Sequence, residues 1–472
     1  MALTKRHLAN GNPKFQAELW AAVARRTVKF FPTGIAKVSY QEVIDGYVGK
    51  KKSLYITALK RLKEHGLQKR DTRVRMFVKP DKISSDVVGE KAPRAIQYRS
   101  PEFNLEFARY IKPLEHAIYE RVTWGNVSGR RAIMKGLNNK QRAQEMVDRA
   151  DLFNNPVFIG ADHSRFDSTI RQEHLKTTHK KYQRNYGSRH LNTLLRCQLN
   201  NIGYSKGGII YRAKGTRMSG DYDTGLGNSV VNGDALYGFL TLSGIAKYEI
   251  MLDGDDSVII IERTQLHQLN VEILEQLGFN TKLEVFHDIH DVEFCRSRVV
   301  LEPQPLLVRD PRRTIANVMV CLKTYRRDQY RDWLSAVGAC ELSCNPGVPV
   351  LSVMAQRLYE MSDKQLFDED TLWKMGNLAV DRRTEITVPA RLEFERAWGV
   401  DIPTQVALEE YIKTSIDVAF MQSVSIKHLK YSKASKEEFR SEYERAAFAF
   451  HESGACYQSL DESGGSCWWS SR

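Results

Sequence analysis

Apolar residues first recur at helical spacing over about 14–30, where Phe15, Leu19, Ala22 and Val23 fall on one face. The pattern repeats over 53–66, where Gly66 supplies a stop. It returns over 102–122, where Phe103, Phe107, Tyr110 and Leu114 share a face and Pro113 is expected to kink or divide the helix. Between these stretches, from Lys50 to Arg99, bases greatly outnumber acids. Arg73, Arg75, Lys79 and Lys82 alternate with Val74, Phe77 and Val78, which predicts a basic strand, a loop over 83–90 and a second basic strand to Arg99.

A charged helix is expected over 139–150, and Val157-Phe158-Ile159-Gly160-Ala161 reads as a buried strand leading into Asp162. A long basic helix over about 168–186, a strand over 209–213 and an apolar helix over about 224–242 follow. The run from Tyr248 to Ile261 is apolar, broken by Asp253-Gly254-Asp255-Asp256, then apolar again, which predicts a β-hairpin with carboxylates at its turn. Beyond it, 265–277 reads as an amphipathic helix ending at Gly278, and 293–300 as a strand-pair candidate. Pro303 and Pro305 mark a boundary. From about 310 the pattern is mainly helical with a break at 346–349, and the Ser- and Gly-rich tail from about 452, with its Trp468-Trp469 pair, is expected to be disordered.

Three stretches carry chemistry. Asp162 ends a buried strand and Asp167 lies five residues on, past a turn; Ser219-Gly220 opens a loop into a helix carrying Thr224 and Asn228; Asp255 and Asp256 sit on the hairpin. A hydrophilic turn or a helix cap accounts for each alone. Their succession fits two-metal nucleotidyl transfer, in which clustered carboxylates hold two hard divalent cations. Thr224 and Asn228, four apart, share a helix face, and an amide can recognise a ribose hydroxyl that Asp167 also reaches. Lys282 reads equally as a general acid for pyrophosphate or as a lysine on an exposed strand.

Composition adds a partner. A formal net charge of +13 over 472 residues suggests a polyanion, although a merely basic surface gives the same number. The two basic strands at 73–99 favour phosphate contacts over lysines that only protect an edge strand. Seven scattered cysteines, an odd number, argue against a disulfide framework and for a reducing compartment. No apolar run is long enough for a membrane span, and the first residues carry no secretory signal.

With these residues in view, the chain resembles the RNA-dependent RNA polymerases of positive-strand RNA viruses, most of all the tombusvirus-like group. Asp162 to Asp167 looks like polymerase motif A, Ser219 to Asn228 like motif B, and Gly254-Asp255-Asp256 like motif C. Lys282 fits motif D, Phe294-Cys295-Arg296-Ser297 motif E, and Lys79 with Lys91-Ala92-Pro93-Arg94 the basic motif F. The similarity is carried by about 70–300.

The resemblance implies an α+β right-hand polymerase, with fingers, a palm built on an antiparallel sheet, and a mostly helical thumb. Its expected layout is fingers over 1–100, palm over 101–304 with a fingers segment inserted at about 176–214, thumb over 305–451, and the tail over 452–472. It implies RNA synthesis on an RNA template, with catalysis by Asp162, Asp255, Asp256 and Lys282. The three aspartates would hold two Mg2+ ions, for which Mn2+ could substitute. Asp167, Ser219, Thr224, Asn228, Lys79 and Arg94 would bind the ribonucleoside triphosphate, and Arg73, Arg75, Lys91, Arg99, Cys295 and Arg296 the RNA. Expected partners are a single-stranded RNA template, nascent RNA and a viral accessory replication protein, which would bring the chain to host cytoplasmic membranes. Two rivals stay open: a reverse transcriptase, opposed by Asp167 and Asp253 where such enzymes place aromatics, and a non-catalytic RNA-binding factor, opposed by the intact acids.

Overall fold

A computed structural model of the chain describes residues 2–8, 14–79, 92–321, 323, 325–368, 371 and 385–415. Lys82, Lys91, the 83–90 loop and the tail from 452 lie outside the described residues. Helices and sheets mix throughout, as the α+β expectation requires.

The described strands are β1 (Val74–Val78), β2 (Ala95–Tyr98), β3 (Pro156–His163), β4 (Asn200–Ser205), β5 (Ile210–Lys214), β6 (Tyr248–Asp253), β7 (Asp256–Glu262), β8 (Thr281–Phe286), β9 (Ser297–Val300) and β10 (Leu306–Arg309). One four-stranded sheet has the order β6-β7-β3-β8 and is antiparallel throughout. Its inner strands β3 and β7 are apolar on both faces because both are covered: Val157, Ile159, Ile259 and Ile261 join the main core, while Phe158, Val258 and Ile260 join a second cluster with Met134, Met146 and Phe294. A second sheet, β2-β1-β4-β5, pairs the two basic strands with a hairpin more than a hundred residues later, and β1 runs parallel to β4.

The Thr224–Leu242 helix forms where its apolar sequence predicts and is buried along most of its length. It packs between β6 and the Ala17–Thr27 and Gln172–Tyr186 helices. Trp20, Leu236, Phe239 and Leu277 share its core. Gly66, at φ +63°, ends the Gly49–His65 helix as expected.

Several expectations change. Pro113 neither divides nor ends its helix, which runs Pro101–Arg121. Proline cannot bond back to the carbonyl of Arg109; that oxygen instead accepts from the Val38 amide at 2.9 Å, so the lost helical bond is replaced from outside. The basic helix breaks at Ile170-Arg171 into Phe166–Thr169 and Gln172–Tyr186, because the Ile170 carbonyl accepts from Thr216. The 265–277 stretch is a 3₁₀ helix, Arg263–Gln268, followed by a short helix, Glu272–Gln276. Pro303 and Pro305 occupy the connection of the β9–β10 hairpin. That hairpin alternates: Val299 and Leu307 enter the cluster behind the β6-β7-β3-β8 sheet, while Val300, Leu306 and Val308 enter the core of the C-terminal helices.

β6 is anchored from behind by buried charge. Arg149 Nε lies 2.8 Å from Glu249 Oε2, and both side chains are fully buried. Glu249 also accepts from the Ser128 amide and hydroxyl. Replacing Arg149 by Met would strand Glu249 in the interior, at a cost of about 3–5 kcal/mol. A lowered thermal midpoint is expected, partly restored in the Arg149→Met/Glu249→Gln double variant; equal midpoints for Arg149→Met and the unaltered chain would refute the pairing.

Candidate active site

Antiparallel register brings the acids together. Asp253 pairs with Asp256, so Gly254-Asp255 alone connects β6 to β7. Two-residue hairpin turns need positive φ, and Gly254 supplies +74°. The β3–β7 pairing ends at Gly160↔Val258, while β3 continues to Asp162 beside the turn, opposite Lys282 of β8. Ser257 Oγ donates to the Ala161 carbonyl at 3.3 Å and ties the two ends. Asp162, Asp255 and Asp256 are all exposed.

Their charges interact. Although the residue as a whole is exposed, the protein packed around its carboxyl strips water from it, and this together with the nearby Asp255 and Asp253 pushes Asp256 up to about 6, with Asp162 adding to the rise and Arg296 opposing it. Asp253 behaves oppositely. Burial disfavours its charge, but Lys135 and Arg142 outweigh this and hold it below the usual carboxylate range. Lys135 Nζ bonds one carboxylate oxygen and Arg142 Nη2 the other, the latter at 2.6 Å. Asp253 is thereby committed to protein cations, leaving Asp162, Asp255 and Asp256 as the open acids.

These donors are hard carboxylate oxygens, which suit a divalent cation. Among the described residues no group of three His, Cys, Asp or Glu side chains is arranged to hold a metal ion. The three aspartates are therefore not arranged as a ready-made ligand set, and their fit to a divalent cation rests on their oxygen chemistry.

A second constellation lies alongside. Asn228 Nδ2 donates to Asp167 Oδ1 at 2.7 Å, uniting two residues expected to recognise ribose. Burial raises Asp167 to about 6, the Asn228 bond resists, Asp255 adds to the rise, and Arg217 and Arg6 oppose it. Arg217 was not singled out in the sequence. It is buried, its Nε donates to Asn228 Oδ1 at 3.1 Å, its Nη1 pairs with Asp223 at 3.2 Å, and its amide donates to the Asp167 carbonyl. It therefore orients the Asn228 amide with its nitrogen toward Asp167. The acids Asp221 and Asp223, inside the Ser219–Asn228 stretch, were the signal that a buried cation lay near.

Ser219 and Thr224 are engaged with backbone. Ser219 Oγ donates to the Ala95 carbonyl at 3.2 Å, and Thr224 Oγ1 donates to the Met218 and Asp221 carbonyls, closing the loop. The Gly220 amide meets the Gln97 carbonyl at 2.6 Å. A Cβ there would lie 2.5 Å from that oxygen, so only glycine lets the loop dock on β2.

The remaining expected residues divide. Lys79 continues the β1–β2 ladder through its amide to the Arg94 carbonyl, and both side chains are exposed, as are Arg73, Arg75 and Arg296. Arg73 stacks over Tyr204. Lys282 Nζ pairs with Glu284 at 2.5 Å on the exposed face of β8; this bond raises its pKa, with Asp162 adding. Arg99, expected on RNA, is instead 1% exposed. Its Nε sits 2.9 Å from Asp221 Oδ1, and it also bonds Asn201 and the Thr72 carbonyl, so no face of it is left for RNA. Cys295, also expected on RNA, sits in a tight turn at φ +53° with its sulfur 3.4 Å from Arg142 Nη1. Burial holds it as a thiol, with its pKa pushed up to about 12.

The chain matches the viral RNA dependent RNA polymerase family model over residues 6–417. It is 31% identical over 419 residues to the RNA-directed RNA polymerase of Oat chlorotic stunt virus (isolate United Kingdom), covering 82% of this chain and 55% of that protein. It is 32% identical over 393 residues to that of Tobacco necrosis virus (strain A), covering 80% and 54%. Against the RNA-directed RNA polymerase of Cucumber necrosis virus the identity is 34% over 393 residues, covering 80% and 47%. The chain thus spans about half the length of the curated relatives it matches. With the acids of β3 and of the β6–β7 turn on one sheet end, and this similarity along most of its length, the chain belongs to the viral RNA-dependent RNA polymerase family.

Proposed function

We propose that this chain synthesises RNA on an RNA template from ribonucleoside triphosphates. The observation that carries this reading is the convergence of Asp162 with Asp255 and Asp256 beside the Asp167–Asn228 pair. Asp162, Asp255 and Asp256 would hold two divalent cations, Mg2+ or in its place Mn2+. When bound, such ions activate the attacking 3′-hydroxyl and stabilise the departing pyrophosphate. Asp167 accepts from the ribose hydroxyl, while Arg217 keeps the Asn228 amide turned toward the same point. Arg94 and Lys79 offer exposed cations to the triphosphate, and the net charge of +13 suits an RNA partner.

A right-hand layout follows from this reading, with the β6-β7-β3-β8 sheet as palm, the β2-β1-β4-β5 sheet as fingers and the C-terminal helices as thumb. Pairing of β4 and β5 with β1 and β2 supports a fingers segment inserted at about 176–214. The palm–thumb limit near 304 would run through the β9–β10 hairpin, whose side chains serve both cores. No helix of the described residues is long and apolar enough to cross a membrane. The proposal places the chain at host cytoplasmic membranes through a viral accessory protein. Co-sedimentation with membranes only when that protein is present is the outcome this part requires.

Ribonucleotide incorporation on single-stranded RNA with Mg2+ tests the activity. Asp255→Ala is expected to abolish it, with RNA binding retained. Wild-type activity in that variant, or preferential use of deoxynucleotides, refutes the reading. Arg94→Ala should raise the nucleotide concentration needed for half-maximal rate, and an unchanged requirement would remove Arg94 from the triphosphate site.

Asp167 predicts a pH dependence. Its ionised form accepts from the ribose, so KM for nucleotide should rise as pH falls through about 6. Asp167→Asn should lack that limb. Because the folded state raises this pKa, Asp167 contributes stability at low pH that is lost as pH rises through about 6. Asp167→Asn should therefore melt no lower than the unaltered chain at pH 7, and a clearly lower midpoint would contradict the raised pKa.

A further inference from the structure

We propose that His163 and Asn232 are positioning residues that fix the Gly254-Asp255 turn against the end of β3, and so set the affinity of the acid cluster for a divalent cation. The inference rests on the reading of Asp162 and Asp255 as metal-binding groups.

His163 follows Asp162 on β3, so its side chain projects to the opposite face of the sheet, where it is buried. Its Nε2 lies 3.0 Å from Asn232 Oδ1 and its Nδ1 2.7 Å from Thr281 Oγ1. Asn232, fully buried in the Thr224–Leu242 helix, donates through Nδ2 to the carbonyls of Gly254 at 3.0 Å and Asp255 at 3.2 Å. One helical turn earlier, Ser229 Oγ accepts from the Gly254 amide at 3.2 Å.

The roles of the atoms follow by elimination. Asn232 Nδ2 faces two carbonyls and can only donate, so its Oδ1 is the acceptor and His163 Nε2 carries the proton. The other ring nitrogen, Nδ1, meets the Thr281 hydroxyl. Thr281, His163 and Asn232 thus form a continuous file of hydrogen bonds. It begins on β8, passes through the residue beside Asp162, and ends on the backbone of Asp255 itself.

A polar cluster needed only for stability could terminate anywhere in the interior. This one joins the two backbone segments that carry the acids, and it holds their separation from the buried side of the sheet while the carboxylates repel on the open side. Supporting groups of this kind typically change metal affinity by about 10–100-fold when removed.

The test is Mn2+ binding by the full chain, read from the electron paramagnetic resonance signal of the free ion. The site is defined as the Mn2+ binding that Asp255→Ala abolishes. Asn232→Ala is expected to weaken that binding about tenfold. His163→Asn removes the donor at the Nε2 position and should do the same. His163→Gln, whose amide nitrogen can occupy the Nε2 position, should bind close to the unaltered chain. Circular dichroism and thermal midpoints confirm that each variant is folded; if Asn232→Ala does not fold, the His163→Asn and His163→Gln pair decides. Unaltered Mn2+ affinity in Asn232→Ala and His163→Asn, with binding lost in Asp255→Ala, overturns the positioning role and leaves the metal assignment standing. Equal binding by Asp255→Ala and the unaltered chain overturns both.

Discussion

Mutual repulsion among the carboxylates at the end of the β6-β7-β3-β8 sheet is the constraint around which the site is built. Asp162, Asp255 and Asp256 are brought together by strand register rather than by attraction, and Asp256 is raised to about 6 first by loss of water around its carboxyl and then by the neighbouring acids. Left to themselves, such acids would separate or take up protons. The two-residue turn leaves the chain no slack, and the buried Thr224–Leu242 helix holds that turn through Ser229 and Asn232. Asp253, which would have added a fourth charge, is neutralised by Lys135 and Arg142.

Buried ion pairs join several neighbouring elements. Arg149–Glu249 joins the Asn139–Ala150 helix to β6, Lys181–Asp234 joins the Gln172–Tyr186 helix to the Thr224–Leu242 helix, and Arg99–Asp221 joins β2 to the loop before that helix. Removing such charges from water offsets much of their attraction, so they add little net stability over apolar residues of equal size. Their value lies in direction. An apolar contact tolerates a slide of an ångström or a rotated side chain, whereas Arg217, bonded to both Asp223 and Asn228, admits one orientation of the Asn228 amide. That orientation fixes the hydrogen bond to Asp167.

Local periodicity made much of the fold legible. The hairpin, the apolar 224–242 helix and the buried strand before Asp162 stand where the apolar pattern places them, and the acids at their ends could be read as one constellation. What could not be read depends on distant partners. Pro113 is expected to kink or divide its helix; it does not divide it, and the carbonyl it leaves unpaired is taken by Val38, about seventy residues away in sequence. Arg99 sits in a run of bases and so looks solvated, but Asp221 and Asn201 draw it inside. His163 and Asn232 carry no sequence signature of their contacts, because a lone polar residue beside such a motif reads the same whichever way it faces, and Arg217 is signalled only by the nearby Asp221 and Asp223.

The same constraint links stability to chemistry. Asp256 and Asp167 are both held above the usual carboxylate range, so ionising them costs more in the folded chain than in the unfolded one. Asn232 and Arg217 hydrogen-bond the turn and the Asn228 amide beside these acids. A cation entering the site would offset that cost. A ligand that binds the folded state only is itself a source of stability. On the proposed reading, a divalent cation and its substrate would bring the charge that these carboxylates lack.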